Sequence, residues 1–289
     1  MKLGLGILGA FAVIAIFGPL FVGDPTLQVA VPMSSPSWAH WLGTTGQGQD
    51  VLAQLVCGAR TSLVIGIFVG LSQIAVGALV GTTAGYFGGW VDDVLTTIVN
   101  IFLIMPGLPL MVIIAAYLPT GSLTIALVLV VTGWAWSARV IRAQTLSLRD
   151  KDFVLAATVS GERGLRIIVA HIMPNMTSLL VSSFIGATLY AIGAEVALEF
   201  LGLGDVSKVT WGTNLFWASN DSALMTGAWW TFVPTGACIA LVGFALAMVN
   251  GAIDELGNPR LRREDAFLAE AAARGVALGV STPVLRREA

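Results

Sequence analysis

Glu195 and Glu199 stand out in a chain otherwise built from long apolar blocks. Four positions apart, they share one face of a helix. An ionisable group inside a membrane helix is expensive and turns toward a cavity or a partner. One reading therefore makes the pair a lining of a solute pathway or a contact of an outer gate. The other makes each a glutamate hydrogen-bonded across a helix interface or reaching the lipid headgroups. No other residues have the spacing of a catalyst. The chain has no GxxxxGK[ST] phosphate loop, so it is not expected to hydrolyse ATP by itself, and it has neither HExxH nor GxSxG. Two histidines, His40 and His171, are too few for a histidine-based metal cluster. His171 reads as a structural or interface residue rather than a proton carrier. Cys57 and Cys238 fit no CxxC or zinc spacing and read as small apolar packing residues. No cofactor and no metal are expected.

The elements that must position these residues are membrane helices. Of 289 residues, 56% are hydrophobic and 11% charged, with a mean hydropathy of +0.85. A soluble domain carries about 25% charged residues, and a bilayer core of ~30 Å takes ~20 apolar residues per helix. The composition therefore specifies an all-α, polytopic membrane bundle. A net charge of −2 gives no basic field for nucleic acid.

Six spans can be read in order. Residues 3–22 form a first span, too long for a signal-peptide core and without a convincing cleavage site, and are expected to stay as an anchor. Residues 23–57 are polar, with Trp38 and Trp41 suited to an interface and a short amphipathic helix around Asp50–Leu55. A second span runs from about Ser62 to Tyr86. Its Gly66/Gly70 pair and its Gly77, Gly81 and Gly85 repeat read as faces for close helix packing. A third span reaches about Leu118 and is interrupted at Met105-Pro106-Gly107 and Pro109. Proline removes a backbone donor and kinks a helix, so Met105 and Pro106 are candidate pathway residues. A fourth span covers 122–141, a fifth 177–201 and a sixth about 231–253. A Trp-rich loop holding Trp211 and Trp217 precedes the sixth, with Trp229 and Trp230 at its edge. Placing 142–176 inside puts every Lys and Arg except Arg60 and Lys208 on one side. By the positive-inside rule both termini are then cytoplasmic.

The segment Asp152–Pro174 is mixed in charge, helix-capable and must leave the membrane. Ala156, Ala157 and Gly161 are expected on one helix face, bare enough for another protein to approach the backbone closely. That makes it a plug for a socket on a cytoplasmic motor.

Three ordered motifs add a resemblance. Ala156-Ala157, three residues, Gly161, ten residues and Ile172-Met173-Pro174 resemble the Glu-Ala-Ala…Gly…Ile-Leu-Pro loop of permease subunits of ABC importers. The stretch 43–62, GTTGQGQDVLAQLVCGARTS, resembles the Gly-Thr-Asp…Gly-Arg-Asp-Val…Gly-Ala-Arg-x-Ser run of the oligopeptide/dipeptide-type subfamily. Ala194-Glu195 followed by Phe200-Leu201-Gly202-Leu203-Gly204 is similar to its Ala-Glu…Phe-Leu-Gly-Leu-Gly. Leu155 stands where the family has its signature Glu, Gln49 where it has Arg and Thr45 where it has Asp. The first change removes an expected charged contact with the motor. Glu199 falls where the family usually has a small polar residue.

The resemblance implies a bacterial plasma-membrane protein with a cytoplasmic coupling helix, carrying Ala156, Ala157, Gly161, Ile172 and Pro174 as the contacts to an ATPase. It implies five core helices preceded by one anchor helix. Residues 1–57 would be the anchor and extracytoplasmic segment, 58–253 the core permease domain and 254–289 a cytoplasmic tail. Implied partners are a second homologous permease, two ATP-binding subunits, an extracytoplasmic substrate-binding protein and membrane lipid. ATP-driven closure of the motors would push the coupling helix and reorient spans three to five. Peptides are the expected solutes, with oligosaccharides or metal complexes as the alternative. An ion-coupled secondary transporter would want conspicuous intramembrane charges and helix repeats, of which the sequence offers only Glu195 and Glu199. A membrane enzyme lacks any constellation. In the tail, Glu264–Arg274 could form a short helix; disorder and loose docking on a motor subunit both stay open.

Overall fold

The computed structural model describes residues 1–257; the tail from 258 to 289, with the helix expected at Glu264–Arg274, lies outside them. Among the described residues the architecture is all-α, with only isolated bridges at Gln28–Gln49 and Thr44–Asp50. Five helices are long and apolar enough to cross a membrane, and Gly89–Ile104 with Gly107–Tyr117 reaches that length only as a pair bent by 89°.

Helix α1 (Lys2–Phe17) runs antiparallel along α12 (Val233–Gly257). Gly4 lets it do so: a Cβ there would lie 2.9 Å from the Ala245 carbonyl. The polar stretch after α1 folds over the end of α2 (Val51–Phe87). Asp50 caps α2 by accepting from the Ala53 N–H at 3.0 Å, and His40 Nδ1 sits 2.8 Å from its other oxygen. A side-chain acceptor at this position satisfies one of the free donors of a helix start. The short helix expected at 50–55 and the span expected from Ser62 are thus one continuous helix of 37 residues. Thr61 and Ser62 do not interrupt it, because Thr61 bonds its hydroxyl back to the Cys57 carbonyl at 3.4 Å. The boundary expected at 57/58 falls inside this helix.

Helix α2 is the axle of the bundle. Along one face Gly77, Gly81 and Gly85 meet α5 (Ser122–Arg149). A Cβ at Gly81 would lie 2.6 Å from the Ala138 carbonyl, and one at Gly85 2.8 Å from Thr145 Cβ. Further along, Gly66 and Gly70 press against Ile192 and Thr188 of α9 (Thr177–Phe200). The glycine repeats thus pack helices, as expected of small-xxx-small faces in lipid. Helix α5 runs on to Arg149, past the end expected near Ile141.

Between α2 and α5 lie α3 (Gly89–Ile104) and α4 (Gly107–Tyr117), bent by 89° at Met105-Pro106. Met105 and Pro106 adopt extended backbone there, and the Pro ring supplies no N–H to continue α3. The start of α3 is anchored by Asp92, which accepts two bonds from Arg142 of α5 at 2.5 and 2.6 Å.

After α5 come α6 (Asp152–Val159), α7 (Gly164–Ile167), a π-type turn over Ile168–Ile172 and α8 (Met173–Asn175). These gather with Arg139, Arg142 and Arg149 at one end, called here the Arg-rich end. The opposite end is closed by residues 23–50 and by α10 (Trp211–Asn220) and α11 (Ala223–Thr226). Trp230 Nε1–H donates to the Thr44 carbonyl at 3.2 Å, tying the two parts of that closure. The outer surface carries exposed Leu3, Val13, Val64, Leu71, Ile113 and Val131, an apolar belt suited to acyl chains and too large for a water-soluble monomer.

Candidate functional site

Three places concentrate polar or exposed groups that the packing alone does not require. The first is a cavity of about 630 Å³ between α2, α5, α9, α12 and the α3–α4 bend. Its wall includes Gln73, Thr132, Ser137, Ser182, Ser183 and Asn250, with Phe102, Trp136 and Tyr190 among them. Met105 and Gly107 bring the bend to its edge; Pro106, between them, does not reach the lining. Gln73 is fixed by donating Nε2–H to the Leu129 carbonyl at 2.8 Å, in space left by the missing side chain of Gly133. Trp136 is 66% exposed, so the cavity is open on that flank. Among the described residues no Asp, Glu, Lys, Arg or His lines it. Such a wall offers neutral hydrogen bonds and aromatic faces to a solute. A larger apolar groove of about 760 Å³, between α1, α2, α9 and α12, has only Arg60 and Thr188 as polar lining among the described residues. It suits lipid or a side chain better than a polar solute.

The second place is the segment 152–176 at the Arg-rich end. Val154 and Ala157 are buried against Ile141, Ile167, Ile168 and Ile172, which fixes α6 to the ends of the long helices. Phe153, Leu155, Val159, Leu165 and Val169 are exposed, Val159 by 89%. The expected bare face of Ala156, Ala157 and Gly161 does not form. Ala156 is exposed, Ala157 is only 7% exposed and turned inward, and Gly161 lies beyond the helix. Gly161 has φ +78° and ends α6. Its N–H donates to the Thr158 carbonyl at 3.0 Å, and the Glu162 N–H to the Ala157 carbonyl at 3.1 Å. That paired closure demands a left-handed residue, which glycine supplies without a Cβ clash. Ile172 is fully buried, whereas Pro174 is exposed at the start of α8. Glu162 braces the segment from within, 3.1 Å from His171 Nε2 and 3.4 Å from Arg166 Nε. The exposed apolar ridge was not anticipated; Leu155 in place of a family Glu is the sequence signal that points to it.

The third place is at the opposite end of α9. Glu195 and Glu199 are 0% and 1% exposed and lie outside the cavity lining. Ser62 Oγ–H of α2 donates to Glu195 Oε1 at 3.1 Å, and Ser62 Oγ accepts the Trp211 N–H at 3.1 Å. Thr210 Oγ1–H donates to Glu199 Oε2, while Thr210 and Thr213 cap α10 reciprocally. Trp211 itself is fully buried, with Nε1–H on the Leu55 carbonyl at 3.2 Å. The pair thus bridges α9 to α2 on one side and to α10 on the other. Sequence spacing placed the two glutamates on one face, but the polar partners come from residues 62 and 210, far off in the chain.

The chain combines long apolar helices, a neutral polar cavity beside a bent helix pair and a braced segment at the Arg-rich end. The profile of the binding-protein-dependent transport system inner membrane component family matches residues 77–263. The chain belongs to that family. It is 33% identical over 265 residues to the oligopeptide transport system permease protein OppC of Bacillus subtilis, covering 90% of this chain and 85% of the relative. It is 35% identical over 233 residues to the OppC of Mycobacterium tuberculosis H37Rv, covering 80% and 79%. The dipeptide transport system permease protein DppC of Bacillus subtilis is 31% identical over 265 residues, covering 90% and 82%. As an inner membrane component of this family, the chain is a multi-pass membrane protein that works with other subunits, and the matched region takes in the bend, the 152–176 segment and the glutamate pair.

Proposed function

We propose that this chain is a permease subunit of an ATP-driven ABC importer and that it moves peptides across a bacterial plasma membrane. The relatives' names, oligopeptide and dipeptide permeases, supply the solute class; oligosaccharides and metal complexes find no support among them. The observation that carries the coupling reading is the exposed apolar ridge of the 152–176 segment, held rigidly from below by Val154 and Ala157. Such a ridge fits a groove on a partner chain better than it fits water.

In this reading the Arg-rich end and both termini are cytoplasmic. Two ATP-binding subunits hydrolyse the nucleotide, a second homologous permease completes the path and an extracytoplasmic binding protein delivers the peptide. Ala156 and Pro174 meet the ATPase directly. Ala157, Ile172 and the Gly161 turn hold the shape it grips. The cavity beside Met105-Pro106 is this subunit's half of the peptide path, its neutral wall bonding to the peptide backbone whatever the side-chain charge. Motion of the coupling segment reaches that wall through Ile141 and the end of α5.

Purification of the tagged chain from its native membrane, followed by reconstitution into vesicles, tests this reading. ATPase subunits should accompany the chain, and peptide uptake should stop without ATP. A chain that purifies alone and takes up solute on an ion gradient would overturn it.

A further inference from the structure

The Glu195–Glu199 pair presents a problem of charge that transport as such does not solve. Both carboxyls are buried, and they stand one turn apart on the same face of α9. No Lys, Arg or His forms an ion pair with either among the described residues. On α2 the one charged residue is Arg60, whose side chain lines the lipid-side groove instead. Helix α10 has no charged residue, and those of α5 and α12 sit at the Arg-rich end. In the 201–210 loop the charged residues are Asp205, another anion, and Lys208, which is exposed and turns its carbonyl to Thr213.

The donors present also fall short. Ser62 serves Glu195 Oε1 and Thr210 serves Glu199 Oε2, but Glu195 Oε2 is buried with no partner. A buried, unpaired carboxylate oxygen beside a second carboxylate is among the most costly arrangements a protein can hold. One hydrogen placed between the two groups removes one charge and supplies the missing donor.

We propose that Glu195 and Glu199 hold a single proton between them, and that this proton latches residues 201–222 onto α2 and α9. The loop is built around that latch. A Cβ at Gly204 would lie 2.8 Å from Glu199 Cγ, and one at Gly212 2.6 Å from Glu199 Cβ, so both glycines leave room for the carboxyl arm. Thr210, which starts α10, hangs on Glu199, and Trp211 hangs on Ser62. Loss of the proton leaves two like charges side by side and pushes the loop away from the bundle. The site is a property of the folded chain and does not depend on the transported solute.

Infrared spectroscopy of the full-length chain in lipid nanodiscs reads the proton directly. At neutral pH the wild type should show the carbonyl stretch of a buried, protonated carboxylic acid. Glu195→Gln and Glu199→Gln should each abolish it, while Asp221→Asn should leave it. Hydrogen exchange of residues 201–222 supplies a second measurement. It should accelerate about tenfold, the loss of one strong hydrogen bond, when alkali removes the proton from wild type. In Glu195→Gln, whose amide donates permanently, it should stay unchanged over the same range. A wild-type spectrum without the band overturns the proposal even if neither variant folds. So does a band that survives both substitutions, or loop protection that follows added sodium or potassium instead of pH.

Discussion

Arg142 on α5 grips Asp92 at the start of α3 through two parallel N–H···O bonds of 2.5 and 2.6 Å. Thr96 adds a third donor to the same carboxylate at 3.0 Å. Both partners are mostly covered, with side-chain exposures of 30% and 16%. A fork-to-fork pair in such a place fixes geometry as well as energy. It holds α3 against α5 near the Arg-rich end, while α4, beyond the bend, packs Met111 and Ala115 against Ile125 and Leu129 of α5.

Arg142→Lys should therefore lose more than charge conservation implies, about 1–2 kcal/mol of stability. Thermal unfolding in nanodiscs measures it. Asp92→Asn and Arg142→Gln should each destabilise, and the double variant should be no worse than the poorer single one. Additive losses would show that the two side chains act independently.

Gly161→Ala meets nothing within 4 Å, so crowding cannot explain any effect. The φ of +78° makes an L side chain there cost about 1–2 kcal/mol, which frays the last turn of α6. Gly161→Asp should insert normally and lose ATP-driven uptake with ATP hydrolysis continuing. Uptake at the wild-type rate would remove the segment from the coupling path.

Gly81→Ala and Gly6→Ala separate packing from propensity. The first drives a methyl to 2.6 Å from the Ala138 carbonyl, while the second meets nothing within 4 Å. Overpacking costs about 1–3 kcal/mol, so Gly81→Ala should unfold at a lower temperature and Gly6→Ala should not. Equal melting temperatures would mean that α2 and α5 yield freely.

Gly186→Phe fills the cavity wall from a position with no neighbour within 4 Å of an added Cβ. Uptake by the assembled transporter should be blocked while thermal stability holds. Undiminished peptide uptake would place the path elsewhere.

Burial pushes the Asp221 carboxyl above the usual aspartate range, and its Oδ2 has no partner. The folded state then binds the proton more tightly than the unfolded one. Its penalty is absent below the ordinary value, grows as pH rises through that value and is complete above the raised folded value. Melting temperature should fall across this window in wild type and stay flatter in Asp221→Asn, measured by the difference between the two curves.

The five long apolar helices were legible because lipid permits little else: apolar runs of bilayer length have to be helices. The bend was legible too, since Pro106 removes a donor wherever it falls. What escaped the sequence depends on contacts between distant residues or on backbone sign. Ala157 looked like part of an open face, yet it turns inward against Ile141 and Ile167, a choice made by α5 and α7. Gly161 looked like a face residue because spacing of four reads the same whether or not the helix has already ended. The start of α2 read as a short helix around Asp50–Leu55 separate from the span at Ser62, yet Thr61 bonds its own helix and Ser62 serves Glu195, so the helix runs through both. The glutamate pair announced itself by residue type, but Ser62, Thr210 and the two glycines around Glu199 belong to other parts of the chain.

At 37 residues, α2 is about 55 Å long, nearly twice the thickness of a hydrocarbon core of ~30 Å. It touches Thr145 near one tip and Trp211 near the other, without a hinge between them. A rod of that length works as a lever: a tilt of about 5° carries its far tip through about 5 Å. A displacement at either tip is thereby delivered at the other on the scale of a helical turn, with no relay of intermediate parts.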